Sequence, residues 1–147
     1  MPNSMQEKVR EFHKKFGHDA PEKPTILSRE QIILRTKLIR EELTELEEAL
    51  WDQDLTEAYD ACLDILYVTF GTLVAMGLES EEGFSEVHES NMSKLGSDGK
   101  PLLSRGEDID CAPLGKVIKG PNYFAPNLHD IVKRQIKDSE NNLERIF

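Results

Sequence analysis

Arg40-Glu41-Glu42-Leu43-Thr44-Glu45-Leu46-Glu47-Glu48, followed by Asp60-Ala61-Cys62-Leu63-Asp64-Ile65-Leu66-Tyr67-Val68, decides how this chain folds. The first run lies in a segment whose apolar residues recur at helical spacing. On a wheel at about 100° per residue, Ile32, Ile39, Leu43, Leu46 and Leu50 share a sector about 60° wide, flanked by Leu38, Leu34 and Ala49. Glu42 and Glu45 fall inside this apolar side and Glu41 at its edge, whereas Lys37, Arg40, Thr44 and Glu47 point to water. Glu47 and Glu48 read as a solvated face. The second run leaves almost no polar side, and a helix apolar all round is expected to be buried. Yet Asp60 and Asp64 lie one turn apart on it, with Glu57 within about 20° of the same line.

A buried carboxylate without a partner is costly or gives up its charge. Two facing helices carrying Glu42, Glu45, Asp60 and Asp64 therefore suit a hard, oxygen-seeking cation, Mg²⁺ first and Mn²⁺ as a substitute. Glu41, at the rim, is placed to orient or deprotonate a water molecule.

Outward from this core, residues 6–16 form a first helix with Val9, Phe12 and Phe16 on one side, ended by Gly17. Residues 19–25 read as a linker. Ser28-Arg29-Glu30-Gln31 is a capping box opening the long second helix, which runs to Leu50 or Trp51. Asp52-Gln53-Asp54 breaks it, a third helix spans residues 56–76, and a fourth spans 80–95. Gly96-Ser97-Asp98-Gly99 opens an irregular basic and aromatic arm, residues 96–126, with a short strand pair. A last amphipathic helix starts at Leu128, with Ile131, Val132, Ile136 and Leu143 inside. The expectation is a single all-α domain over residues 1–147. Its four to five helices form an antiparallel bundle with helices two to four as its core, completed by oligomerisation.

The 28 acids against 18 bases give a net charge of −10, which argues against nucleic acid as a partner and is compatible with a metal-bridged anionic substrate. Cys62 and Cys111 read as free thiols of a reducing compartment. The first residues lack the apolar core of a signal peptide and no run of about 18 apolar residues occurs, so a cytoplasmic protein without a membrane partner is expected. None of His13, His18, His88 and His129 has a Glu three residues before it, which removes a di-iron bundle, and no Ser or Cys motif accompanies them.

Taken together, Glu41-Glu42-x-x-Glu45, Asp60 to Val68 leading to Gly71, Val87-His88-Glu89-Ser90-Asn91-Met92-Ser93-Lys94-Leu95, and Gly115-Lys116-Val117-Ile118-Lys119-Gly120-Pro121-Asn122-Tyr123 resemble the all-α nucleoside triphosphate pyrophosphohydrolases. These are the MazG-like enzymes, and the resemblance is greatest to their phosphoribosyl-ATP pyrophosphohydrolase-like branch. It covers residues 32–128. It implies Mg²⁺-dependent cleavage between the α and β phosphates of (d)NTPs, giving a nucleoside monophosphate and pyrophosphate, in nucleotide-pool housecleaning. It also implies that Glu42 and Glu45 are the Glu-x-x-Glu ligands and Asp64 the Asp of a following Glu-x-x-Asp. The position three before Asp64 is Ala61, so Asp60 is expected to stand in. Family members assemble as dimers or tetramers, which implies a homodimer or homotetramer whose site can borrow groups from a partner chain.

Asn91, on the inner face of the fourth helix, suits a ribose or base, or a satisfied core amide. Lys94 suits a phosphate, or the dipole of its own helix end. Lys116 and Lys119, with Tyr123 and Phe124, suit a loop that closes over substrate or packs on a neighbouring subunit. Trp51 reads as a core or interface residue. Two alternatives remain open: hydrolysis of phosphoribosyl-ATP in histidine biosynthesis, and a non-catalytic helical module whose acids pair with Lys and Arg.

Overall fold

Serine and aspartate caps set the register of the two central helices in the computed structural model, which describes residues 4–106 and 112–145. Its helices are α1 (Ser4–Phe16), α2 (Arg29–Trp51), α3 (Leu55–Ala75), α4 (Glu81–Met92) and α5 (Leu128–Glu144). The fold is all-α. Among the described residues the expected strand pair amounts to one antiparallel bridge, Leu103 to Val117. Cys62 is a free, exposed thiol, whereas Cys111 lies outside the described residues.

The capping box forms as read: Ser28 Oγ accepts from the Gln31 amide at 3.2 Å, and Gln31 Oε1 accepts from the Ser28 amide at 2.7 Å. At the other end of α2, Gln53 takes a left-handed φ of 56° and Asp54 caps α3 by accepting from the Glu57 amide at 3.0 Å. Three residues thus reverse the chain, and α3 returns antiparallel along α2. α3 stops at Gly77, whose φ of 66° favours glycine and where a Cβ would strike the Lys23 carbonyl. The 19–25 linker is pinned there, the Thr25 amide donating to the Met76 carbonyl at 2.8 Å.

The chain divides into two compact units, residues 1–81 with 132–147, and residues 82–131. In the first, α2 packs on α3 and α1 also packs on α3. Helices two to four had been expected as the core. Instead α1 completes the unit, because its Val9 and His13 are buried and its Gln6 is wholly enclosed. Gln6 Nε2 donates to the Leu78 carbonyl at 2.7 Å and its Oε1 accepts from the Ser80 amide at 3.0 Å. On α5, Gln135 repeats this motif, accepting from the Glu79 amide at 2.8 Å and donating to the Glu79 carbonyl at 3.1 Å.

The buried side chains along α2 and α3 are mostly small: Ala49, Ala58, Ala61, Val74 and Ala75. Small residues let two helix backbones approach closely. The face that α2 turns inward is therefore not its apolar stripe. Arg35 and Ala49 are buried and Glu42 half-buried, while Ile32, Leu43 and Leu50 are 48%, 53% and 60% exposed. α3, expected to be buried all round, likewise leaves Tyr59, Leu63 and Leu66 exposed. One neighbouring helix can cover only part of such a surface. By length and composition α3 could also cross a membrane; its three acids and the arginine hydrogen-bonded to its backbone are features of a core helix.

In the second unit, buried Ser90 donates to the Phe124 carbonyl at 2.8 Å, and Ser93 Oγ accepts from the Phe124 amide at 3.1 Å. The Gly120 amide donates to the Lys94 carbonyl at 2.9 Å, and a Cβ on Gly120 would strike the Leu95 carbonyl. The 96–126 arm is therefore bonded to the C-terminal end of α4.

Candidate active site

Glu42 is the centre of the acidic constellation. It projects from the inward face of α2, and its Oε2 is buried with no hydrogen-bond partner. Burial pushes its carboxyl above the usual range; the charges of Glu45 and Asp64, a side-chain hydrogen bond with Glu45 and, least, the charge of Glu41 push the same way. Glu42 and Asp64 thus lie within electrostatic reach of each other across the α2–α3 seam, with Glu45 one turn from Glu42. Asp64 is half-buried and Glu45 exposed. Glu41 is exposed at the rim, its Oε1 lying 3.7 Å from Lys37 Nζ.

Asp60 differs from these. It is exposed, while Ala61 beside it is 3% exposed in the seam. Where the resemblance implied an acid, this chain packs a methyl group, and the Asp60 carboxylate sits about 100° further round α3. Among the described residues no three His, Cys, Asp or Glu side chains stand close enough together to form a ready-made ligand set. Glu47 and Glu48 face solvent, as read from the wheel.

The second unit places the remaining candidates. Asn91 is exposed, and the inner face of α4 passes through its neighbour Ser90 instead. The Asn91 Oδ1 accepts from Lys94 Nζ at 2.8 Å, so the two form a polar pair at the end of α4. Lys119 Nζ lies 4.6 Å above the Tyr123 ring centroid, a cation–π contact that holds the ammonium within its own arm. Lys116 is exposed.

Sequence reasoning passed over Arg35, His13 and Ser90. The wheel held the signal for Arg35, since it falls about 20° from Glu42 on the inward side of α2. His13 and Ser90 carried no such signal, because the period alone does not say which helix α1 or α4 meets.

The scaffold is of the class in which acids from two antiparallel helices face one another within an all-α fold. Residues 9–91, over half of the chain, match the sequence model of the phosphoribosyl-ATP pyrophosphohydrolase family, and the chain belongs to that family. The matched span holds all five acids of the site and Asn91; Lys94, Lys116 and Lys119 lie beyond it. The chain is 30% identical over 142 residues to an uncharacterized protein of Acanthamoeba polyphaga mimivirus, the match covering 92% of this chain and 50% of that protein. It therefore spans about half the length of that curated relative. It is also similar to the crystal structure of a candidate NTP pyrophosphohydrolase from Exiguobacterium sp. 255-15, with 25% identity, 94% of this chain and 99% of that chain covered, and a TM-score of 0.48.

Proposed function

We propose that this chain is a Mg²⁺-dependent nucleotide pyrophosphohydrolase that cleaves (d)NTPs between the α and β phosphates, releasing a nucleoside monophosphate and pyrophosphate. The observation that carries this reading is the buried, unpartnered Oε2 of Glu42, on a carboxyl that feels the charges of Glu45 and Asp64, in a chain of this family. The donors are all carboxylate oxygens, which fit Mg²⁺ or Mn²⁺. Glu42, Glu45 and Asp64 would hold the ion, with Asp60 at the margin. Such an ion, when bound, neutralises phosphate charge and acidifies water. Glu41 orients the attacking water from the rim and accepts its proton. In the second unit, Asn91, Lys94, Lys116 and Lys119 are assigned to the nucleotide.

The family match favours a second substrate of the same chemistry, phosphoribosyl-ATP. A non-catalytic module with acids neutralised by Lys and Arg has less support. Among the described residues, the ion pair at these acids is the loose Lys37–Glu41 contact within one helix. Pyrophosphate release from a panel of (d)NTPs and phosphoribosyl-ATP, with and without Mg²⁺, tests all three. Metal-dependent release from (d)NTPs is the expected result. Release from phosphoribosyl-ATP alone selects the second reading, and none from any substrate selects the module.

The outward apolar stripe of α2 and the bare flank of α3 support assembly with a second copy, as a homodimer or homotetramer. Leu50, at the end of that stripe, already contacts solvent in the single chain, so Leu50→Glu is cheap there but costly in an interface. Sedimentation is expected to find wild type larger than a monomer and Leu50→Glu shifted toward monomer. A monomeric wild type at tens of micromolar would remove this reading.

A further inference from the structure

Away from the acids, the first unit holds a second polar cluster, formed where α1, α2 and α3 meet. Arg35 is 5% exposed and His13 2% exposed. The guanidinium donates from Nη2 to the Val68 carbonyl at 2.8 Å and from Nε to Thr72 Oγ1 at 3.3 Å. Both partners are neutral. Among the described residues no carboxylate forms an ion pair with Arg35. A desolvated cation without a counter-charge is an expensive element to retain in a fold.

His13 faces the same place. Its Nδ1 donates to the Asp19 carbonyl at 2.7 Å, so in the neutral ring Nε2 is the free acceptor. A Cβ built on Gly71 would collide with Arg35 Nη2 and lie 2.9 Å from His13 Nε2, which places both groups over that glycine. A cavity of about 180 Å³ lies beside the same two side chains, lined among others by His13, His18, Asp19, Gln31, Leu34 and Arg35. The His18 ring centroid is 5.3 Å from that of His13.

We propose that this cavity is an anion site that takes a phosphate-sized oxyanion between Arg35 and the two imidazoles. Its volume decides the size of the guest. It exceeds the roughly 30 Å³ share of one water several times over, yet falls below the roughly 300 Å³ at which pockets begin to enclose drug-sized ligands. It thus has room for a phosphate group. The opposing charge is Asp19, whose Oδ2 is engaged by Gln31 Nε2 at 2.5 Å. α3 contributes Ala75 there, which does not titrate.

An anion would also change the protonation of His13. Burial keeps that imidazole below its usual range, the charges of Arg35 and His18 push the same way, and Asp19 opposes through its carbonyl and its charge. An oxyanion on Arg35 cancels part of the repulsion and offers Nε2 an acceptor, so binding draws a proton onto His13. Arg35 is seven residues before Glu42 on one face of α2, about 10 Å along the axis. The site is therefore separate from the acids and does not depend on the pyrophosphohydrolase reading.

The test is a titration of the full chain with inorganic phosphate in metal-free buffer, followed by calorimetry and by NMR of the histidine side chains. Saturable binding is expected, with the His13 midpoint moving up by about one unit, a tenfold change in proton affinity. Arg35→Lys is expected to weaken binding at least tenfold, since an ammonium cannot reproduce the guanidinium fork. Should that variant not fold, His13→Gln, which removes the titrating ring, is expected to abolish the proton uptake. Competition by a nucleoside monophosphate would assign the site to phosphate carried on a nucleotide; its absence would assign it to free phosphate. An unmoved His13 signal, or the same shift from chloride at equal ionic strength, would overturn the proposal.

Discussion

Glu42→Gln is expected to reduce pyrophosphate release on the order of a thousandfold, because it removes a carboxylate whose Oε2 is buried without a hydrogen-bond partner and which feels the charges of Glu45 and Asp64. The amide keeps the shape and one oxygen but not the charge. The same substitution is expected to raise the melting temperature in metal-free buffer. The sign follows from linkage. The folded-state pKa of Glu42 lies above its ordinary value of 4.5, so the native chain binds this proton more tightly than the unfolded chain. Its contribution is fully present below pH 4.5 and is lost as pH rises through the raised value. The variant has no such loss, so its advantage is expected to be small at pH 4 and to widen toward pH 7. Glu47→Gln, on the solvated face of the same helix, is the control and is expected to alter neither rate nor melting. Normal turnover by Glu42→Gln would remove the assigned site.

Gly71→Ala is expected to be strongly damaging, although Gly71 lies within a regular helix. Alanine in a helix interior ordinarily stabilises by about 1 kcal/mol over glycine. Here the added methyl would occupy the place of Arg35 Nη2 and crowd His13 Nε2. The guanidinium would have to leave Val68 and Thr72, exposing a buried cation's unmet donors. Overpacking and loss of a charged hydrogen bond together suggest a net loss of about 2 to 4 kcal/mol, or roughly ten degrees in melting temperature. Gly83→Ala in α4 is the comparison, since its Cβ would meet Leu128 Cδ2 at an ordinary 3.8 Å, and a small gain is expected. Equal melting of Gly71→Ala and wild type would show that the three helices do not meet at that glycine.

Much of the scaffold could be read from local chemistry. The Ser28 and Gln31 pair fixed the start of α2, and Asp52-Gln53-Asp54 fixed the reversal that sets α2 against α3. Glu42 could be found because a charge within an apolar sector stands out on a wheel. The orientation of that sector could not. Helical periodicity identifies a stripe but not what covers it, and the usual assumption is that the chain's own core does. In this chain the inward side of α2 is Arg35, Glu42 and Ala49, and the stripe of Ile32, Leu43 and Leu50 faces out. The same limit explains why α1, rather than α4, completes the first unit, and why Ser90 rather than Asn91 is enclosed. Asp60 was a case of one residue of shift: neighbours on a helix point about 100° apart, so a carboxylate moved by a single position leaves the seam.

The carboxamide of Gln6 is chemically a loose peptide group, and it meets Leu78 and Ser80 as one rung of a β-ladder would. That rung staples the opening turn of α1 to a bend more than seventy residues downstream. For anyone splicing this fold into a fusion or trimming it for labelling, the cut that preserves the staple lies upstream of residue 6. Starting one residue later would discard both halves of it at once.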